Sequence, residues 1–152
     1  MNINVYSIAK EQKNLYEDIV KELSKMVGKY AKLEDKNIFN SKIATAQTIG
    51  KEKSQEAYTQ SFEPFLNKGY NIALHPDAKE LDSFEFSKLL SDRMSVQFFI
   101  GGAYGLESSF LTSCDRVVSL SKLTLSHKVA KVVLFEQIFR GLSILNNHPY
   151  HK

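Results

Sequence analysis

Short β-prone runs alternate with amphipathic helical patterns along all 152 residues of the chain. The clearest strand prediction is Ser95–Ile100, where bulky apolar residues follow one another and a glycine pair ends the run. Further strands are predicted at 3–8, 32–39, 69–74 and 116–120, and helices at 12–30, 56–66, 83–94, around Phe110 and after Ser126. Strands that alternate with helices predict an α/β fold with a largely parallel sheet.

Several local details are predicted with these elements. Leu15, Ile19, Leu23, Met26 and Val27 recur at helical spacing and predict the apolar face of the first helix. Ser83 is the predicted cap of a later helix. Residues 40–53 are polar without a clear period, which predicts a mobile loop.

Length and apolar content predict one domain over 1–152 with a proper core. No apolar run is long enough for a membrane span, and the first residues do not resemble a signal peptide, so we expect a cytoplasmic protein. Cys114 is the only cysteine. We interpret it as a small packed residue in preference to a catalytic thiol.

Ligands of parallel sheets bind at the carboxyl ends of strands. Two strand ends are notable, Leu74 before His75-Pro76 and Ile100 before Gly101-Gly102. A glycine turn lets the backbone approach a ligand closely, although such a turn is more often structural. It has neither the spacing of a dinucleotide fingerprint nor the lysine of a phosphate-binding loop.

The last third of the chain carries the excess positive charge. Residues 119–152 hold five of the twenty Lys and Arg residues but one of the seventeen Asp and Glu, a net charge of +4 against +3 for the whole chain. This asymmetry suits a surface that meets phosphates, and a solvated helix face explains it equally well. The segment contains a leucine-and-hydroxyl run at 119–125, an apolar helix that Ser126 is predicted to cap, and a basic aromatic tail.

Three histidines lie in this third, His127, His148 and His151. No carboxylate stands near them at ligand spacing, so we expect no metal site. We interpret His148 as a contact of the tail or of RNA.

The glycine turn, the leucine-and-hydroxyl run, the helix and the tail together resemble the ribosomal RNA large subunit methyltransferase H family, a group of small SPOUT-class proteins. The resemblance is specific over about 70–152 and topological before that. The matching segments are Phe99-Ile-Gly-Gly-Ala-Tyr-Gly-Leu106, Ser119-Leu-Ser-Lys-Leu-Thr-Leu-Ser-His127, Glu136-Gln-Ile-Phe-Arg140 and Asn147-His-Pro-Tyr-His-Lys152.

The resemblance implies a SPOUT-type parallel sheet with helices on both faces and a trefoil knot formed by the C-terminal segment. It implies an S-adenosylmethionine-dependent enzyme that methylates N3 of a pseudouridine in 23S ribosomal RNA, within the large subunit or the assembled ribosome. It also implies a homodimer whose substrate site uses both copies. The implied cofactor-binding residues are Leu74, Gly101, Leu120, Ser121, Lys122, Leu123, Thr124 and Leu125.

The tail supplies the candidate catalytic residues. The imide N3 must lose its proton before it accepts a methyl group, and His148 and His151 are candidate bases. Tyr150 is a candidate for stacking on the nucleotide or bonding to it. Arg140 and Lys152 are candidate phosphate ligands, and a pairing of Arg140 with Glu136 one turn earlier is an equal alternative.

The chain departs from the family pattern at Ala103-Tyr104, where the family usually has Pro-Glu. Its second strand is followed by Lys42, Lys51 and Lys53 in place of a Lys-Arg-Gly loop. Lys152 replaces a commoner terminal arginine. Two alternative functions therefore remain: a non-catalytic ribosome-binding module on the same fold, and a SPOUT methyltransferase with another RNA target.

Overall fold

A computed structural model describes residues 1–152 and contains one five-stranded sheet in the order β2-β1-β4-β3-β5. All neighbouring strands are parallel, which confirms the predicted fold class. The strands are β1 (Asn2–Ile8), β2 (Lys32–Ile38), β3 (Tyr70–Leu74), β4 (Ser95–Ile100) and β5 (Arg116–Val118). The helices are α1 (Leu15–Val27), α2 (Ser41–Ile49), α3 (Lys51–Phe62), a 3₁₀-helix (Glu63–Lys68), α4 (Ser83–Leu90), α5 (Ser108–Ser113) and α6 (His127–Leu145).

The helices cover both faces of the sheet. On one face α1, α4 and α6 bury a cluster that includes Val20, Leu90 and Phe135. On the other face α2, α3 and α5 bury a cluster that includes Tyr58 and Phe110. Because strand side chains alternate between faces, the two clusters divide β1 between them.

The prediction of a mobile loop at 40–53 is wrong. The Asn40 side chain accepts a hydrogen bond from the Ile43 amide at 2.9 Å and caps α2, and α3 begins at Lys51. Only Ile43 and Ala46 of α2 are buried. Two buried positions three residues apart are enough for a helix that packs on α3, yet too few for a visible period.

The first helix differs from its prediction in its start and its buried face. Asn14 caps it, so the helix begins at Leu15 and not at Gln12. Leu15 and Ile19 are exposed, at 79% and 47% of their surface. Leu23 and Val27 of the predicted stripe are buried, together with Val20.

Asp82, not Ser83, caps α4. Its side chain accepts from the Glu85 amide at 2.7 Å, while Glu85 accepts from the Asp82 amide at 2.9 Å, which forms a capping box. The Ser83 hydroxyl donates instead to Gln137 of α6 at 2.8 Å. The helix ends at Leu90 and not at Met94, because Ser91 is extended and Asp92 has a φ of 56°.

Lys131 fixes the first half of α6 to the sheet. Its side chain is 8% exposed, and its ammonium lies 2.8 Å from the Asp35 carboxylate and 3.0 Å from the Asn37 oxygen on β2. Glu17 of α1 lies 3.9 Å away. A buried ammonium requires such partners, so this cluster determines how α6 sits against α1 and β2.

Candidate active site

A cavity, which we call the first cavity, lies at the carboxyl ends of β3, β4 and β5. Its volume is about 160 Å³, and it opens to solvent. Its walls come from the segments that leave the three strands and from the first turn of α6. The lining residues are Leu74, His75, Pro76, Ile100, Gly101, Gly102, Gly105, Leu106, Ser119, Leu120, Ser121, Leu123, Thr124, Leu125, His127 and Ala130.

The structure brings most of the predicted cofactor residues to this cavity. Those that line it are Leu74, Gly101, Leu120, Ser121, Leu123, Thr124 and Leu125. Lys122 does not line it, because its side chain is 88% exposed and points to Glu80 at 3.9 Å. Seven of the eight predicted cofactor residues therefore line one cavity, and Lys122 is the exception.

Sequence reasoning missed several lining residues. His75 and Pro76 directly follow the predicted strand that ends at Leu74. Because ligands of parallel sheets bind at the carboxyl ends of strands, their position could have been predicted. Leu106 and His127 end two of the segments that resemble the family, but they follow no strand end, so the strand-end rule does not place them at the cavity.

Serine hydroxyls shape the segment 119–125. The Ser119 amide donates to the Lys79 carbonyl at 3.0 Å, and its hydroxyl donates to the Ser121 carbonyl at 3.0 Å. The Ser121 hydroxyl accepts from the Leu123 amide at 2.9 Å. Because these hydroxyls are used on the backbone, the leucines between them are left to line the cavity. Ser126 then caps α6 by accepting from the Val129 amide, as predicted.

The floor of the first cavity has no room for a side chain. A Cβ at Gly101 would lie 3.0 Å from Leu106 Cγ, and one at Gly102 would lie 2.6 Å from the Tyr58 ring. Gly105 has a φ of 71°, which favours glycine. The glycines are therefore required by the local geometry, and they leave an apolar slot with exposed backbone that fits an adenosyl group.

The tail packs against the second half of α6. Arg140 Nε lies 2.9 Å from Glu136 Oε1, and its guanidinium lies 4.7 Å from the centre of the Tyr150 ring. The Tyr150 hydroxyl donates to Glu136 at 3.2 Å. Arg140 Nη1 lies 3.2 Å from His151 Nδ1. The pairing of Arg140 with Glu136 is thus present, and the same arginine orients two tail residues.

This packing changes the acid–base properties of the cluster. Burial, followed by the Glu136 charge, raises the pKa of Tyr150 above its ordinary value. The Glu136 hydrogen bond raises the pKa of Arg140. The phenol therefore stays protonated and the guanidinium stays charged at neutral pH.

The other tail residues contact α4, α6 and the end of α1. The His148 amide donates to the Ser143 carbonyl at 2.9 Å, and the His148 ring lies 6.5 Å from that of Tyr30. The His151 ring meets Phe84 edge-on at 4.7 Å. Lys152 is exposed.

The tail and the first cavity meet different parts of α6. The cavity is lined by His127 and Ala130 in the first turn, whereas the tail folds back onto Glu136, Phe139 and Arg140. From Ala130 to Glu136 the helix rises about 9 Å at 1.5 Å per residue. None of the predicted tail residues lines the cavity of its own chain.

Two other features bear on the chemistry of the chain. No group of three or more His, Cys, Asp or Glu residues is arranged to hold a metal ion. Burial, followed by the Asp115 charge, raises the pKa of Cys114 to about 12. A thiol with this pKa is inert at neutral pH, which supports its interpretation as a packed residue.

Every helix is too short or too polar to cross a bilayer.

A family model described as "Predicted SPOUT methyltransferase" matches residues 1–151. The chain therefore belongs to the SPOUT methyltransferases, which confirms the class predicted from the glycine turn, the serine-rich segment and the tail.

Its curated relatives share a more particular name, Ribosomal RNA large subunit methyltransferase H. The protein from Aliarcobacter butzleri is 57% identical over 152 residues and matches over 100% of both chains. The protein from a Nitratiruptor species is 55% identical over 99% of this chain and 98% of its own. The protein from a Sulfurovum species is 52% identical over 100% of both. The resemblance stated from the sequence motifs is thereby confirmed.

A solved structure shares the fold. A crystal structure of a putative RNA methyltransferase from Bacillus anthracis superposes with a TM-score of 0.50 and covers 98% of this chain and 96% of its own. The sequence identity is 14%, so this likeness concerns the fold alone.

Proposed function

We propose that this SPOUT methyltransferase transfers the methyl group of S-adenosylmethionine to N3 of a pseudouridine in 23S ribosomal RNA. The observation that carries the proposal is the first cavity, because residues predicted from the family motifs meet around one slot at the carboxyl ends of the strands. The match of the curated relatives over the whole chain supports the same substrate class.

The residues of the first cavity fit the cofactor. Leu74, Leu120 and Leu125 supply apolar surface for an adenine ring. Gly101 leaves backbone uncovered, so that main-chain groups can meet polar edges. When bound there, the sulfonium supplies an electrophilic methyl group. The chain itself orients the donor, and held geometry of this kind lowers a bimolecular barrier by several kcal/mol.

The acceptor nitrogen needs a base and a positioned ring, which we assign to the tail. His148 and His151 are candidate proton acceptors, and Tyr150 is a candidate stacking surface for the nucleotide. Arg140 holds Tyr150 and His151 in place, and its remaining N–H groups, with the exposed Lys152, are candidate phosphate donors.

We infer that the working enzyme is a homodimer. Within one chain the tail packs on Glu136, Phe139 and Arg140, and none of its residues lines the first cavity. A tail that serves the first cavity then comes from a second copy. Sedimentation equilibrium should give twice the monomer mass, and a purely monomeric protein that still turned over would contradict this inference.

We also propose that the C-terminal segment forms a trefoil knot. Ser119 bridges to Glu80 and bonds to Lys79, so the chain after β5 runs beside the segment between β3 and α4. From there it continues into α6, which packs on α1 and α4. A path of this kind passes close to an existing loop, as a knot requires.

The decisive experiment is mass spectrometry of 23S RNA after incubation of the purified protein with S-adenosylmethionine and ribosomes from a strain lacking the gene. We expect one new methyl group at N3 of a pseudouridine. Methylation of another nucleotide would support a SPOUT enzyme with a different target. Cofactor binding in calorimetry without any methylation would support the non-catalytic module. A ribosomal target implies a cytoplasmic location, which fractionation tests.

A further inference from the structure

A second cavity adjoins the first at the carboxyl ends of β1, β2 and β4. Both cavities are lined by Ile100, Gly102 and His127, so these residues form their shared border. Gly102 has no room for a side chain, because a Cβ there would lie 2.6 Å from the Tyr58 ring. The two cavities adjoin at these shared residues, so a ligand in the second cavity lies next to the slot assigned to the methyl donor.

The second cavity contains a buried hydroxyl without a partner. Ser7 is 3% exposed, lines the cavity and makes no hydrogen bond through its Oγ. On the same face of β1, Ile3 and Val5 belong to the apolar core. Buried hydroxyls in proteins nearly always have a partner. An unpartnered one at the point where β1 reaches a cavity indicates a ligand with a polar edge.

Two lysines stand over aromatic rings in the same cavity. Lys10 Nζ lies 4.9 Å from the centre of the Phe39 ring, and Lys128 Nζ lies 5.8 Å from that of Tyr16. Both lysines are exposed, and Lys128 also donates to Gln12 at 3.2 Å. Ammonium groups suit phosphates, and aromatic rings suit unstacked bases.

The deeper lysine has a different role. Lys131 also lines the second cavity, but Asp35 lies 2.8 Å from its ammonium and neutralises it. Glu17, the acidic residue that lines the cavity, lies 3.9 Å from the same ammonium. Lys10 and Lys128 are therefore the lysines without a carboxylate partner, and the three lysines with Asp35 and Glu17 leave a net charge of +1 at the cavity.

We propose that the second cavity binds the target nucleotide of the RNA. Lys10 and Lys128 bind phosphates of the strand, and the Ser7 hydroxyl bonds to a polar edge of the base. The reacting edge of the base then faces the first cavity across their shared border at Gly102, where N3 can approach the donor methyl group directly. This assignment rests on the proposed function, since it names the place where that RNA is held.

Ser7→Ala tests the base contact. The variant loses a hydroxyl that has no partner in the protein, so its melting temperature should stay equal or rise. Cofactor affinity in calorimetry should be unchanged. The value of kcat/KM for ribosomes lacking the modification should fall about tenfold, as for one lost hydrogen bond to a buried group. An unchanged kcat/KM would mean that Ser7 contacts only water and would overturn the assignment. A parallel loss of melting temperature would show a structural role and would also overturn it.

The double variant Lys10→Gln and Lys128→Gln tests the phosphate contacts without turnover. The slope of log affinity for ribosomes against log salt should become shallower by about two, one for each phosphate that the variant no longer binds. Lys68→Gln is the matched control. Lys68 also stands over an aromatic ring, 5.0 Å from the centre of Phe65, but it precedes β3 at the amino ends of the strands. It should leave the slope unchanged, and equal slopes for the double variant and this control would overturn the proposal.

The outcomes separate the two levels of inference. If the wild-type protein binds the cofactor but methylates no ribosome, the proposed function fails, and the salt slopes still decide whether RNA uses the second cavity. If the variants weaken self-association in sedimentation and leave ribosome binding unchanged, the cavity receives a second copy of the chain. That result would overturn the nucleotide assignment.

Discussion

The two ends of α6 are held by cations in opposite ways. Near its start, Lys131 reaches across to Asp35 and Asn37 on β2 and is 8% exposed. Near its end, Arg140 binds Glu136 of the same helix and contacts the tail, and it is 25% exposed. The start of α6, beside the proposed donor site, is therefore fixed to the sheet, whereas its second half holds the tail through Arg140.

The two ends of α6 also differ in the cavities and unpaired polar groups that surround them. The start of α6 borders both cavities and lies near the unpartnered Ser7 hydroxyl. At the other end, Glu136, Arg140 and Tyr150 satisfy one another. The start of α6 thus lies beside a polar group that is free to bind a ligand, whereas the polar groups near its end already bond to one another. We infer that a complete site joins the start of α6 in one copy to the tail of another.

Deletion of His148–Lys152 should have the largest effect. It removes the candidate bases and Tyr150, and loss of a general base with its positioning costs about a thousandfold in turnover. Cofactor affinity should change less than about twofold, because no residue of the tail lines the first cavity of its own chain. Calorimetry and methyl transfer to ribosomes measure the two effects. Turnover that survives the deletion would remove the tail from the mechanism.

Mixed dimers sharpen this test. A subunit without the tail keeps its first cavity, and a Gly101→Val subunit keeps its tail. If the site joins two copies, randomly mixed subunits should recover about a quarter of the wild-type activity, from one good site in half of the dimers. No recovery in verified mixed dimers would place both parts of the site in one chain.

Gly101→Val should lower cofactor affinity by about a hundredfold. Its Cβ alone would lie 3.0 Å from Leu106 Cγ, and the two methyl groups of valine would occupy the slot or displace its wall. Calorimetry measures the change. Gly28→Ala is the control, since its φ is −56° and it ends α1 away from the cavity. Equal affinities for both variants would contradict the cofactor site.

Much of the fold could be predicted because its signals are local. The strand Ser95–Ile100 is read directly from its apolar run, and the Ser126 cap from the residue type before a helical pattern. The failures concern surfaces that depend on the partner element. The α2 segment looks like a loop because it buries only Ile43 and Ala46. Leu15 looks buried because its spacing is right, although the buried stripe of α1 is centred on Val20, Leu23 and Val27.

The site shows the same division. Leu74 and Gly101 could be placed at strand ends, and the family motif supplied the segment 119–125. The position of Lys122 could not be predicted, because alternation along a segment does not say which residue turns outward toward Glu80. Nor does the sequence reveal the second cavity, since Ser7, Lys10 and Lys128 lie in separate elements and meet only when α6 returns over β1.

The two cations of α6 should differ in their contribution to stability. Lys131→Ala leaves Asp35 without its buried partner and should lower the free energy of unfolding by about 3 kcal/mol. Arg140→Ala removes a more exposed pair within one helix and should cost about 1 kcal/mol or less. Urea unfolding measures both. Equal costs would mean that the start of α6 is not fixed more firmly than its end.

Tyr150→Phe should have the smallest effect and reports on the end of α6 alone. The change removes the hydroxyl that donates to Glu136 at 3.2 Å but keeps the ring beside Arg140 and Phe139. One lost hydrogen bond to a partly exposed carboxylate should lower turnover about threefold to tenfold through a less ordered tail. Cofactor affinity and the free energy of unfolding should hardly change. Tyr150→Ala, which also removes the ring, should approach the effect of the tail deletion if stacking on the nucleotide is the role of this residue. If both variants show the same small loss of turnover, the ring serves only to pack the tail. The nucleobase would then be held by His148 or His151.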